Sequence, residues 1–234
     1  MTTLYFRQLL SGRDFAAEDA IATQMVNFVY LIGDRDTGEA VVVDPAYAVA
    51  ELVDVLESDG MRLTGVLATH HHPDHVGGSM MGHGIEGIER LLETYDVPVH
   101  VNRHEAGLVT KVTGVGAGQL VAHEGGDVLG VGGLELSLIH TPGHTPGSQC
   151  FLFDGMLVAG DTLFLQGCGR TDLPGSDPEA MFDSLRTLAA LPDETALFPG
   201  HRYSPSSSAV MGAVKEMNPV LRVPDKEQWL AAWN

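Results

Sequence analysis

The segment Thr69-His70-His71-His72-Pro73-Asp74-His75 constrains this chain more than any other. It follows Gly65-Val66-Leu67-Ala68, an apolar run that reads as a short buried strand, and it precedes the pair Gly77-Gly78. In an extended backbone alternate side chains share a side, so His70 and His72 converge on one point. Pro73 holds His72 extended and opens a turn, from which Asp74 and His75 project towards a neighbouring point. Four nitrogen or oxygen donors within the six residues from His70 to His75 suit a pair of adjacent divalent metal ions.

Three later segments can complete such a site. Each places His or Asp at the end of an apolar strand beside glycine: His140-Thr141-Pro142-Gly143-His144, Val158-Ala159-Gly160-Asp161 and Leu197-Phe198-Pro199-Gly200-His201. A strand end beside glycine lets the backbone turn sharply and hold a ligand rigidly. No cysteine is in the set, which favours zinc, iron or manganese over soft-metal or cluster chemistry. Taken singly, His144, Asp161 or His201 would pass for a turn or surface residue. The triple His followed by Pro-Asp-His is not a routine solvent face. A metal-free histidine pH switch would leave both aspartates without a reason.

The rest of the chain frames these segments. Its 234 residues are 44% hydrophobic and 19% charged, enough apolar material for a sizeable core in a single domain, 1–234. A net charge of −18 opposes binding to nucleic acid or to an anionic membrane surface. Two cysteines outside any C-x-x-C pair suggest a reducing compartment. The first residues show no basic-then-apolar leader and no run is long enough to span a bilayer, so the cytoplasm is the expected location.

Strands are expected over 26–32, 40–43, 65–69, 97–101, 149–153, 156–159 and 195–198, with a hairpin over 128–140 about Gly132-Gly133. Helices are expected over 47–59, 85–95 and, with Asp177 as N-cap and Pro178 in first position, to about Ala190. Residues 103–127 read as a helix and a long surface loop, and the tail from Ser206 as helical with a break at Asn218-Pro219. Strands and helices thus recur in two similar halves, with helices outside packed sheets. Trp229, Leu230 and Trp233 either pack on a sheet or form an interface between copies.

With its H-x-H-x-D-H motif complete at His70, His72, Asp74 and His75, and with His144, Asp161 and His201 following, the chain resembles the metallo-β-lactamase superfamily. The resemblance runs from about Phe6 to Leu221. It implies an α/β fold of four layers, an αββα sandwich of two mixed sheets with helices outside and metals at one edge. It also implies that His70, His72 and His144 hold one metal, that Asp74, His75 and His201 hold a second, and that Asp161 bridges them. Two zinc ions per chain would then supply a bridging hydroxide, with Asp74 and Asp161 as catalytic carboxylates and no side-chain nucleophile.

The run Gly160-Asp161-Thr162-Leu163-Phe164, followed by Gly167-Cys168-Gly169-Arg170-Thr171-Asp172, is similar to glyoxalase II-type thioester hydrolases and to persulfide dioxygenases. By that similarity the substrate is a thiol conjugate, touched by Arg170 and Tyr203. Arg170 pairing with Asp172, and Tyr203 packing at the metal edge, are the structural alternatives. In the dioxygenases one Fe2+ is held by two His and one carboxylate, here His72, His144 and Asp161, and mixed Zn/Fe/Mn loading is a further expectation. The chain departs from typical glyoxalase II in carrying Arg170-Thr171-Asp172 where that family has Lys-Phe-Tyr. It also has only 33 residues after His201, too few for that family's helical C-terminal domain. The functions expected are thioester hydrolysis first, persulfide oxidation second, and hydrolysis of another ester, a lactone or a β-lactam third. A nuclease and a non-catalytic binding module come last.

Overall fold

The computed structural model describes residues 3–233. The first half of the chain contains β1 (Leu4–Leu10), α1 (Ala20–Met25), β2 (Phe28–Asp34), β3 (Glu39–Val43), α2 (Val49–Ser58), β4 (Arg62–Leu67) and α3 (Pro73–Val76). It continues through β5 (Gly78–Met80), β6 (His83–Ile85), α4 (Ile88–Leu92), β7 (Val99–Asn102), α5 (Ala106–Thr113) and β8 (Leu120–His123). The second half contains β9 (Val128–Val131), β10 (Leu134–His140), β11 (Gln149–Phe153), β12 (Met156–Gly160), α6 (Pro178–Ala189), β13 (Ala196–Pro199) and β14 (Ala209–Val210). It ends with α7 (Met211–Met217) and α8 (Lys226–Trp233).

These strands form two six-stranded sheets, ordered β1-β2-β3-β4-β7-β8 and β14-β13-β12-β11-β10-β9, with β5-β6 a separate hairpin. Both sheets are mixed: β1 to β3 pair antiparallel while β3, β4, β7 and β8 run parallel, and in the second sheet β12 and β13 are the parallel pair. Period-two alternation explains the layering. In β2, Val29 and Leu31 face one core with Leu52 and Leu56 of α2, whereas Phe28, Tyr30 and Ile32 face another. In the second sheet Cys150, Leu157 and Ala159 pack with Met181 and Leu185 of α6, whereas Phe151, Phe153 and Val158 join the β2 residues. Three stacked cores therefore separate four layers: helices, sheet, sheet, helices. This is the αββα sandwich, and Trp229, fully buried in the outermost core, packs against it rather than facing outward.

Several elements differ from the sequence expectation. β1 was not expected, because Tyr5, Leu9 and Leu10 bury both faces of the strand and no apolar–polar alternation marks it. The segment 103–127 is not helix and loop alone, since it ends in β8, an edge strand paired parallel to β7 from Leu120 to His123. The helix expected over 85–95 covers only Ile88–Leu92, because Ile85 belongs to the β5-β6 hairpin. That hairpin turns through Met81 and Gly82, both at positive φ, and methionine is a poor signal for a left-handed turn position. The tail also contains β14 before its first helix.

Candidate metal centre

The ligand-bearing loops all leave the same edge of the two sheets. β4 ends at Leu67, and the chain continues extended through His70 to His72, which starts the one-turn helix α3 with Pro73 in first position. His144 sits on the β10-β11 loop, Asp161 follows β12 and His201 follows β13. The edges are locked together by backbone: Phe28 N donates to Gly200 O and Arg202 N to Val26 O, bridging the first sheet to the β13 end.

The seven donors expected from the sequence come together in two groups. His72 Nδ1 lies 3.1 Å from His70 Nε2 and 3.0 Å from His144 Nε2. In the second group His75 Nε2 and His201 Nε2 are 3.1 Å apart, with Asp74 Oδ2 at 3.6 and 3.4 Å from them. Asp161 lies between: Oδ1 is 3.5 Å from His75 Nε2, and Oδ2 is 3.3 Å from His201 Nε2 and 3.8 Å from His144 Nε2.

The partners of the outward-facing nitrogens assign the tautomers. Thr69 Oγ1 donates to Asp44 Oδ2 at 2.6 Å, so it accepts from His70 Nδ1 at 2.9 Å. His75 Nδ1 donates to Asp44 Oδ2 at 2.9 Å, His144 Nδ1 to Arg170 O at 2.9 Å and His201 Nδ1 to Met25 O at 2.8 Å. Four Nε2 atoms thereby face inward, with Asn27 Nδ2 lying 3.3 Å from that of His75 and 3.5 Å from that of His201. One proton on His72 Nδ1 could satisfy one of its two neighbours, not both. Asp161 Oδ1 is buried without a hydrogen-bond donor. Lone pairs and a carboxylate facing one another across about 3 Å need cations between them, and two nitrogens on one tetrahedral zinc at about 2.0–2.1 Å each lie about 3.3 Å apart. The residues present fit divalent metal ions.

Protonation follows the same logic. Burial, reinforced by its histidine neighbours, holds His70 well below the usual imidazole range. Burial and His144 bring His72 to about 4. Both are neutral near pH 7, as a metal ligand must be. Burial also disfavours charge on His75, yet Asp161, Asp74 and the Asp44 bond outweigh it and raise that group to about 10. A proton collects where the carboxylates call for a cation. Burial opposes ionisation of Asp161, but His201 and His75 hold it below the ordinary carboxylate range. The thiols are not activated: burial pushes Cys150 up to about 11 and Cys168 up to about 12.

Residues 22–201 match the family model of the metallo-beta-lactamase superfamily. The chain belongs to the metallo-β-lactamase superfamily. Over 203 residues it is 39% identical to the hydroxyacylglutathione hydrolase of Rhodopseudomonas palustris (strain HaA2), covering 86% of this chain and 72% of that one. Over 205 residues it is 30% identical to the probable polyketide biosynthesis zinc-dependent hydrolase BaeB of Bacillus velezensis, covering 87% and 85%. The crystal structure of ETHE1 from Myxococcus xanthus matches with a TM-score of 0.78 at 29% identity, covering 97% of this chain and 88% of that one.

Around this superfamily site the structure adds residues that the sequence reading passed over. Asp44, at the end of β3 and at a φ of 54°, receives Thr69 N, Thr69 Oγ1 and His75 Nδ1. Its one sequence signal is a strand-end Asp before Pro45, a pattern that ordinarily marks a turn. Asn27 donates to Asp74 Oδ2 at 3.1 Å and is itself held by the Tyr47 hydroxyl at 3.1 Å. Nothing in the sequence singles out either. Arg170 forms a bidentate pair with Asp172, both bonds 2.9 Å, and lines a cavity of about 470 Å³ with Cys168, Thr171, Pro219, Val220 and Trp233. Tyr203 is 55% exposed and stacks on His201 with ring centroids 4.8 Å apart and planes 4° from parallel. No helix among the described residues is long and apolar enough to cross a membrane.

Proposed function

We propose that this protein is a metal-dependent thioester hydrolase acting on hydroxyacyl-thiol conjugates. The observation that carries the reading is the convergence of two groups of inward-facing donors on either side of Asp161, whose buried Oδ1 has no hydrogen-bond donor. The 39% identity to a hydroxyacylglutathione hydrolase supports the substrate class. His70, His72 and His144 would hold one ion and Asp74, His75 and His201 a second, with Asp161 between the two groups. The zinc-dependent relative supports zinc as the metal. Bound zinc supplies hydroxide at neutral pH and polarises a carbonyl.

The chain's own residues prepare that chemistry. Asp44, Met25 O and Arg170 O fix which imidazole nitrogen faces inward, and Asp74 and Asp161 supply the counter-charge. Arg170 and Tyr203, both exposed beside the donors, orient the thiol conjugate; Arg170 must loosen its pair with Asp172 to meet a carboxylate. Residues 1–234 act as one domain in the cytoplasm. Hydrolysis of S-lactoylglutathione tests the proposal: Asp161→Ala should lower kcat/KM by on the order of 10³-fold. Unchanged activity in that variant would reject it.

The likeness to ETHE1 over nearly the whole chain favours a second reading, an iron-dependent persulfide dioxygenase using His72, His144 and Asp161. Elemental analysis of protein purified without added metal separates the two. About two zinc ions per chain without O₂ uptake supports hydrolysis, whereas about one iron with O₂ uptake on a persulfide supports the dioxygenase.

A further inference from the structure

Glu105 is not among the inward-facing donors, yet it touches both loops that supply the His70, His72 and His144 group. The residue is 1% exposed. Its Oε2 accepts from His71 Nδ1 at 2.5 Å, while Oε1 accepts from Thr145 Oγ1 at 2.7 Å and Gly147 N at 2.8 Å. His71 lies between His70 and His72 on the loop after β4, in the first sheet. Thr145 follows His144 on the β10-β11 loop, in the second. The approach at Gly147 is close, since a Cβ there would stand 2.7 Å from Glu105 Cγ. One buried carboxylate therefore ties together two loops from different sheets, each beside ligands of the same group. The supports of the other group are separate: Asp44 on His75, Met25 O on His201 and Asn27 on Asp74.

We propose that Glu105 is a positioning residue that sets the metal affinity of the His70/His72/His144 group and leaves that of the Asp74/His75/His201 group unchanged. The inference rests on the metal-centre reading above. Its physical basis is leverage. Three ring nitrogens held 3.0 and 3.1 Å apart lose their common focus when one loop slides against the other. The same loops also meet where Gln149 N donates to Thr69 O and Gln149 Nε2 to Ala68 O, both at 2.9 Å, but those bonds lie at the strand ends, whereas Glu105 grips the residues directly beside His70, His72 and His144. Loss of an outer partner of a metal ligand typically lowers affinity about 10- to 100-fold.

Co2+ titration into the chelator-stripped full-length chain, with a competing chromophoric chelator, tests this in two backgrounds. His201→Ala leaves the first group intact, and there Glu105→Ala should weaken Co2+ binding about 10- to 100-fold. His144→Ala leaves the second group intact, and there the same substitution should change binding by less than about threefold. Glu105→Gln, which keeps an oxygen for Thr145 and Gly147, should recover most of the loss. Should Glu105→Ala not fold, His71→Ala replaces it, and a loss confined to the His201→Ala background supports the proposal. Equal losses in both backgrounds, or no loss in the His201→Ala background, overturn it. A parent chain that binds no Co2+ overturns the metal-centre reading as well, whereas a parent that binds Co2+ without any Glu105 effect overturns this inference alone.

Discussion

A methyl group at Gly200 would stand 2.2 Å from Asp161 Oδ1, and one at Gly169 would stand 2.0 Å from Asp161 O. These two glycines are the walls of the slot that holds the central carboxylate. Gly200→Ala should therefore displace Asp161 and lower kcat/KM about 100-fold, because displacements of about 1 Å have that effect; steady-state kinetics beside an unchanged circular dichroism spectrum checks it. A second residue-scale prediction concerns His100. Burial, with the charge on neighbouring His123, lowers His100 to about 4. Below its unfolded value of about 6.5 the unfolded chain binds the extra proton, so stability is full above that pH and falls as pH drops towards 4, by up to about 3 kcal/mol. Chemical unfolding of the chelator-stripped protein should show this slope, flattened in His100→Asn. The seven residues that the structure brings together were legible in the sequence because candidate donor chemistry is written in side-chain type and strand-end position. Asn27, Tyr47 and Glu105 were not, because an outer partner is defined by what it touches and carries no motif.

Two crossovers deliver most of the site. β3-α2-β4 ends with Asp44 and the His70 loop, and β12-α6-β13 ends with Asp161 and His201. Each pairs a strand-end aspartate with a strand-end histidine one parallel neighbour away, the physical content of the two similar halves seen in the sequence. The second crossover depends on α6, whose N-cap Asp177 accepts from Glu179 N at 2.9 Å and Ala180 N at 3.1 Å. Asp177→Ala should cost about 1 kcal/mol, lowering Tm by about 2–4 °C in differential scanning calorimetry. The cap was legible because Asp-Pro-Glu before an apolar period is a local signal. β8 was not, because an edge strand with exposed Val121 and Ala122 shows little apolar alternation, and its pairing with β7 is a long-range event.

The middle core is built from side chains of the two facing sheets, so its packing helps hold the halves in register beside the backbone bonds at the site edge. Phe151 is fully buried there. Phe151→Ala should cost about 3–5 kcal/mol and reduce metal binding along with stability, read from denaturant midpoints and zinc content of the same samples. The sequence by itself determined the donor types, the strand ends that bear them and the alternation that sends each strand's faces into different cores. These are local properties, set by side-chain chemistry and the two-residue period of a strand. Only the tertiary structure decided which nitrogen of each histidine turns inward, that Asp44 braces the centre from outside, and that Arg170 is paired. Those outcomes depend on contacts between the two sheets, across separations such as Asn27 to His201, that no stretch of chain contains.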